Sequence, residues 1–101
     1  MKVVAVTACP AGLMHTFMAE KSIINEAKRR NIEIHVETQS ASGIENKLNQ
    51  KDINEADFVI LAIDTAITGL ERFDEKYTVK ISTSDALKKI KKIFDQCIES
   101  I

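Results

Sequence analysis

The sequence predicts an α/β protein: a four-stranded parallel sheet in the order 2-1-3-4, with helices on both faces. Three observations carry this. The runs Val3–Ala8 and Phe58–Ile63 are apolar at consecutive positions, as in strands buried on both faces. Ile32–Thr38 and Tyr77–Ile81 alternate apolar and polar residues, as half-exposed strands near an edge do. Helical patterns follow the first and last of these strands, the layout of parallel crossover units.

The elements follow in chain order. Lys2–Ala8 is the first strand. From Leu13 to Arg30 the pattern is helical, with Leu13, Phe17, Ile24 and Ala27 on one stripe and Met14, Met18 and Ile23 widening it. Of Met14, Phe17 and Met18, which flank the start of this helix, two are expected to pack inward. Lys28-Arg29-Arg30 set positive charge at the helix C-terminus, and Asn31 tolerates the left-handed conformation that ends it. Ile32–Thr38 is the second strand, and Gln39–Gly43 is a loop of small, polar residues. A short helix or pair of turns is expected from about Ile44 to Asn54, where Asn49 and Asp52 are spaced as a cap pair. Phe58–Ile63 is the third strand. Residues 64–76 form a longer loop with one helical turn near Leu70–Phe73, and Tyr77–Ile81 is the other edge strand. Ser82-Thr83-Ser84-Asp85 is an N-cap signal. It opens a last helix carrying Leu87, Ile90, Phe94, Cys97 and Ile101 at three- and four-residue steps. Right-handed crossovers make 2-1-3-4 the simplest order. That order puts a topological switch point beside the first strand, where open α/β sheets bind ligands.

The 101 residues contain no repeat or linker, so residues 1–101 read as a single domain. A net charge of −1 gives no support to a nucleic-acid or anionic-membrane surface. The opening Met1–Val6 resembles a signal peptide, but its apolar run is too short and lacks a cleavage site. No apolar stretch approaches the ~18 residues of a membrane span. The chain is therefore expected to be cytoplasmic and intact from residue 1. Cys9 and Cys97 lie at opposite ends, form no metal-type pair and are expected to be free thiols. With only His15 and His35 beside them, neither a metal nor a cofactor is expected.

Cys9 is the chemical residue of the chain. It follows an apolar strand and precedes Pro10-Ala11-Gly12 and a helix start. Unpaired amides and the positive end of the helix dipole gather at such a turn, favouring a thiolate or a phosphoryl group. The alternative is a buried small hydrophobe, the usual fate of a free cysteine. His15 and Thr16, in the first helical turn, either cap and pack or bond phosphoryl oxygens. The loop has no arginine, whereas a cysteine phosphatase needs a guanidinium on the transferring group. The site is therefore expected to hold and pass on a phosphoryl group rather than hydrolyse it. Asp64 is expected to cap a turn, Cys97 to lie in the core, and Lys88–Lys92 to form a solvated helix face. Glu37-Thr38-Gln39 end the second strand on the side of Cys9 and read as a polar strand end entering a loop.

The stretch Cys9-Pro10-Ala11-Gly12-Leu13-Met14-His15-Thr16-Phe17-Met18-Ala19 closely resembles the phosphorylation-site motif of the fructose-type enzyme IIB domain of the bacterial sugar phosphotransferase system. The resemblance continues through Val36–Gln39, Ser42–Asn46, Asp52-Ile53, Ala56–Ala62 and Glu71-Arg72-Phe73. It implies that Cys9 takes a phosphoryl group from the phosphohistidine of an enzyme IIA partner. Cys9 would then pass it to a sugar, fructose by family default, held by the membrane enzyme IIC. Pro10, Ala11, Gly12, Leu13, Met14, His15 and Thr16 would form the phosphoryl-binding loop. Ala11 stands where the family usually has Thr, Leu13-Met14 where it has Ile-Ala, and Ser40 where it has Gly. The loss of the hydroxyl at position 11 leaves the backbone amide in place, so activity is expected to survive. The alternative is a regulatory module whose phosphorylation at Cys9 is a signal to a docked protein.

Overall fold

The computed structural model describes residues 1–10, 13–41 and 43–101, apart from the side chains of Leu13, Met14 and His15. Its strands are β1 (Lys2–Ala8), β2 (Glu33–Ser40), β3 (Gly43–Glu45), β4 (Phe58–Ile63) and β5 (Thr78–Ile81). The helices are α1 (Leu13–Arg29), α2 (Gln50–Glu55), α3 (Thr83–Lys88) and α4 (Ile90–Ser100), with a 3-10 turn at Leu70–Phe73. The strands form one sheet in the order β3-β2-β1-β4-β5. β2, β1, β4 and β5 are parallel neighbours, which is the expected 2-1-3-4 order.

The sheet has five strands rather than four, because β3 pairs antiparallel with β2 at its edge. The expected helix or turns from Ile44 thus begin as a strand, and only Gln50–Glu55 is helical. A three-residue exposed strand carries too little periodicity to announce itself. Gly43, at φ 114°, takes a backbone conformation that other residues rarely adopt. The expected cap is present: the Asn49 side chain accepts from the Asp52 amide at 2.7 Å. Asn31 ends α1 at φ 59°.

β1 and β4 are buried along almost their whole length, which is why both read as unbroken apolar runs. The odd-numbered residues Val3 and Ala5, with Phe58 and Ile60 on β4, pack under α1, α3 and α4. Val4, Val6, Val59 and Leu61 face α2 and the 3-10 turn with Ile53 and Phe73. Phe58 and Phe94 meet edge to face, centroids 5.9 Å apart.

Two helical expectations change. The buried line of α1 is Thr16, Ala19, Ile23 and Ala27, rotated from the stripe read in the sequence. Phe17 and Met18 therefore point outward, at 41% and 46% exposure; Met14's side chain lies outside the described residues. The last helix is two, broken at Lys89. Ser82 caps the first by accepting from the Asp85 amide at 3.0 Å. That short helix docks on α1 through Ala86, whose carbonyl accepts from the Ser22 hydroxyl at 2.7 Å. α4 buries Ile93, Phe94 and Cys97, while Leu87 and Ile101 are exposed.

Candidate functional site

The chain crosses from β2 to β4 past β1, so the C-terminal end of β1 is the topological switch point, and Cys9 stands there. The Asp64 amide donates to the Ala8 carbonyl at 2.9 Å, closing the end of β1 against the loop that leaves β4. Cys9 is 8% exposed and opens onto a cavity of about 210 Å³. Ala8, Cys9 and Pro10 line one side of it, Gln39, Ser40 and Ala41 a second, and Thr65 and Ala66 a third.

The structure brings Cys9 and Pro10 together at this mouth and starts α1 at Leu13. Ala11 and Gly12 lie outside the described residues, as do the side chains of Leu13, Met14 and His15. Thr16 is fully buried in the first turn of α1, and its hydroxyl has no partner among the described residues. A buried hydroxyl is normally hydrogen-bonded, so Thr16 keeps a donor that the described fold does not engage. Cys97 lies in the core on α4, 1% exposed, and burial pushes its thiol up to about 11. The Asp64 carboxylate accepts from the Thr83 amide at 3.0 Å and the Thr83 hydroxyl at 2.5 Å, pinning the start of α3. Among the described residues no three His, Cys, Asp or Glu side chains gather as a metal site.

The polar end of β2 is more than a strand entering a loop. Glu37 is fully buried. Arg72 grips it with both guanidinium arms, Nη1 to Oε1 at 2.9 Å and Nη2 to Oε2 at 3.0 Å. The Leu48 amide and the Gln39 amide also donate to it, at 2.9 and 2.7 Å. Burial pushes the Glu37 carboxyl up, but the bonds from Arg72, Gln39 and Leu48 outweigh it and hold the group below the ordinary carboxylate range. Strand alternation put Glu37 on a solvent face; Leu48 and Arg72 of the 3-10 turn cover it there. The available signal was Arg72, a cation set between Glu71 and Phe73 in an otherwise acidic turn.

The family model described as "PTS system, Lactose/Cellobiose specific IIB subunit" matches residues 4–96, nearly the whole chain. The chain belongs to the IIB family of the phosphotransferase system. The IIB chain is 46% identical over 88 residues to the PTS system fructose-like EIIB component 2 of Escherichia coli K12, covering 87% of this chain and 83% of that one. It is 38% identical to part of the fructose-specific EIIABC component of Mycoplasma pneumoniae, covering 95% of this chain and 14% of that longer protein. A crystal structure of a domain from the fructose-specific IIABC component of Borrelia burgdorferi superposes with a TM-score of 0.91 at 45% identity, covering 97% of this chain and 93% of that one. As a IIB component the chain is a phosphotransferase, a phosphoryl-transfer module of sugar uptake.

Proposed function

We propose that Cys9 carries the phosphoryl group, receiving it from a phosphohistidine of enzyme IIA and delivering it to fructose bound by membrane enzyme IIC. The observation that supports this best is the placement of Cys9. It sits at the switch point, on an open cavity, one short loop before a seventeen-residue helix. In the first step the Cys9 thiol loses its proton and Sγ attacks phosphorus. The S–P bond forms as the N–P bond breaks, and the electron pair left on the imidazole nitrogen takes up a proton. In the second step a sugar hydroxyl attacks, an O–P bond replaces S–P, and the hydroxyl proton restores the thiol.

The residues that would hold the transferring oxygens are Pro10, Ala11, Gly12, Leu13, Met14, His15 and Thr16, mainly through the amides that follow Pro10. Amides at a helix start suit this, because charge spread over three oxygens is stabilised by donors already oriented. Arg72 is bound to Glu37, and no arginine is among the described residues that line the Cys9 cavity. That fits a site which passes a phosphoryl group on. Relatives in which the matching segment is fused as EIIABC or EIIBC support the choice of IIA and IIC as donor and acceptor partners. The fructose-type names of these relatives support the sugar. No described helix is long and apolar enough to cross a membrane, and the chain acts at the inner membrane face by docking on IIC.

The test is onward transfer. The IIB chain, charged from phosphorylated IIA and isolated, is mixed with membranes containing IIC. Loss of label from protein to sugar only when fructose and IIC are both present is expected. Charged protein that never discharges to any sugar would overturn the delivery step and favour a signalling module.

A further inference from the structure

We propose that Gln39 is a positioning residue for Cys9, strapping the loop after β4 to the end of β2 across the C-terminal end of β1. The proposal deepens the transfer reading of Cys9 and rests on it. β1 lies between β2 and β4, so the ends of those two strands stand roughly 10 Å apart, two strand spacings. Gln39, Ala8 and Ile63 are opposite one another in register and share one face. The loop beyond Ile63 therefore has to be held from across the small side chain of Ala8.

Gln39 does this with both ends of its amide. Its Nε2 donates to the Thr68 carbonyl at 3.0 Å, and its Oε1 accepts from the Thr68 amide at 2.9 Å. This two-way clamp imitates a strand pairing at a place where no strand pairs. The same Nε2 donates to Glu37 at 2.7 Å, which fixes the amide's orientation. Arg72, gripping Glu37, donates from Nε to the Gly69 carbonyl at 2.7 Å and from Nη2 to the Thr68 carbonyl at 3.3 Å. Residues 68 and 69 are thus tied to β2 twice, and Thr65 and Ala66, just upstream, form the third wall of the Cys9 cavity. The clamp requires an amide: a carboxylate at position 39 lacks the donor and would face Glu37, and a methionine of similar length has no donor and only a weak sulfur acceptor.

The experiment compares the intact IIB chain with its Gln39→Met variant. Alkylation of Cys9 and Cys97 by iodoacetamide is followed under native conditions by peptide mass, alongside single-turnover transfer from phosphorylated IIA. Loss of the two hydrogen bonds to Thr68, together with the one to Glu37, is expected to speed Cys9 alkylation about tenfold, through easier local opening of the loop, and to leave Cys97 unchanged. Transfer at saturating phosphorylated IIA is expected to slow severalfold, while the donor concentration for half-maximal rate stays put. An unchanged Cys9 rate, or equal acceleration at both cysteines, overturns the strap: the first shows no hold on the wall, the second a general loosening. If the unaltered chain accepts no phosphoryl group, the transfer reading fails, and the ratio of the two alkylation rates still decides the strap.

Discussion

A buried carboxylate is tolerable only when every oxygen is satisfied, and Glu37 meets that condition through Arg72, Gln39 and the Leu48 amide. Breaking such a set from one side leaves an uncompensated charge, so Arg72→Met is expected to destabilise the fold by about 3–5 kcal/mol in urea unfolding. A loss under 1 kcal/mol would show that Glu37 finds other partners. Phe94 makes the apolar counterpart: fully buried against Phe58, with Arg30 over its ring at 5.6 Å. Phe94→Ala is expected to cost about 3–5 kcal/mol by the same measurement. Cys97, its thiol raised by burial, should resist alkylation at neutral pH. At this scale the sequence was clear for Cys97, whose place on the apolar stripe of its helix became a place in the core, and the chain position of Cys9 at the end of the first strand was legible from the apolar run before it. The sequence was opaque for Glu37, because what covers that side chain lies 11 to 35 residues away.

Elements were legible where a local rule governs them. The apolar runs became β1 and β4, and the cap spacings at Asn49 and Ser82 became real caps. They were not legible where packing decides. No glycine or proline marks the break at Lys89, which lets α3 and α4 dock separately; the register of α1 followed its neighbours rather than its most apolar residues. Gly69, capping the 3-10 turn at φ 81°, shows the two influences together. A Cβ there would stand 2.6 Å from the Arg72 Nε and in a strained backbone region. Gly69→Ala is therefore expected to push Arg72 off Glu37 and to lower stability by about 1–3 kcal/mol. Gly69→Ala combined with Arg72→Met should cost clearly less than the sum of the two; full additivity in this double-mutant cycle would separate the turn from the ion pair.

For the whole molecule, the parallel order alone sets a switch point at the C-terminal end of β1, where Cys9 follows the strand. The pH dependence is also a property of the whole fold. The Glu26 carboxyl is held low by hydrogen bonds from Arg29 and Arg30 that exceed the opposing effect of burial, and Glu37 is held low despite its burial. A carboxyl depressed in the folded state stabilises fully above its unfolded value, near ~4.3, and loses that contribution as pH falls through the folded value. Thermal midpoints are therefore expected to be flat from neutrality to about pH 5 and to drop below about pH 4. Glu37→Gln should start lower and drop less; an equally steep fall would remove Glu37 from the acid response.

The central claim is that the phosphoryl group rides on Cys9. Intact mass, read after incubation with phosphoenolpyruvate, the two general phosphotransferase proteins and a fructose-type IIA, tests it most directly. The account predicts a gain of one phosphoryl group in the unaltered chain and in Cys97→Ala, and none in Cys9→Ala. A gain that survives Cys9→Ala, or no gain with any of several IIA partners, would contradict it.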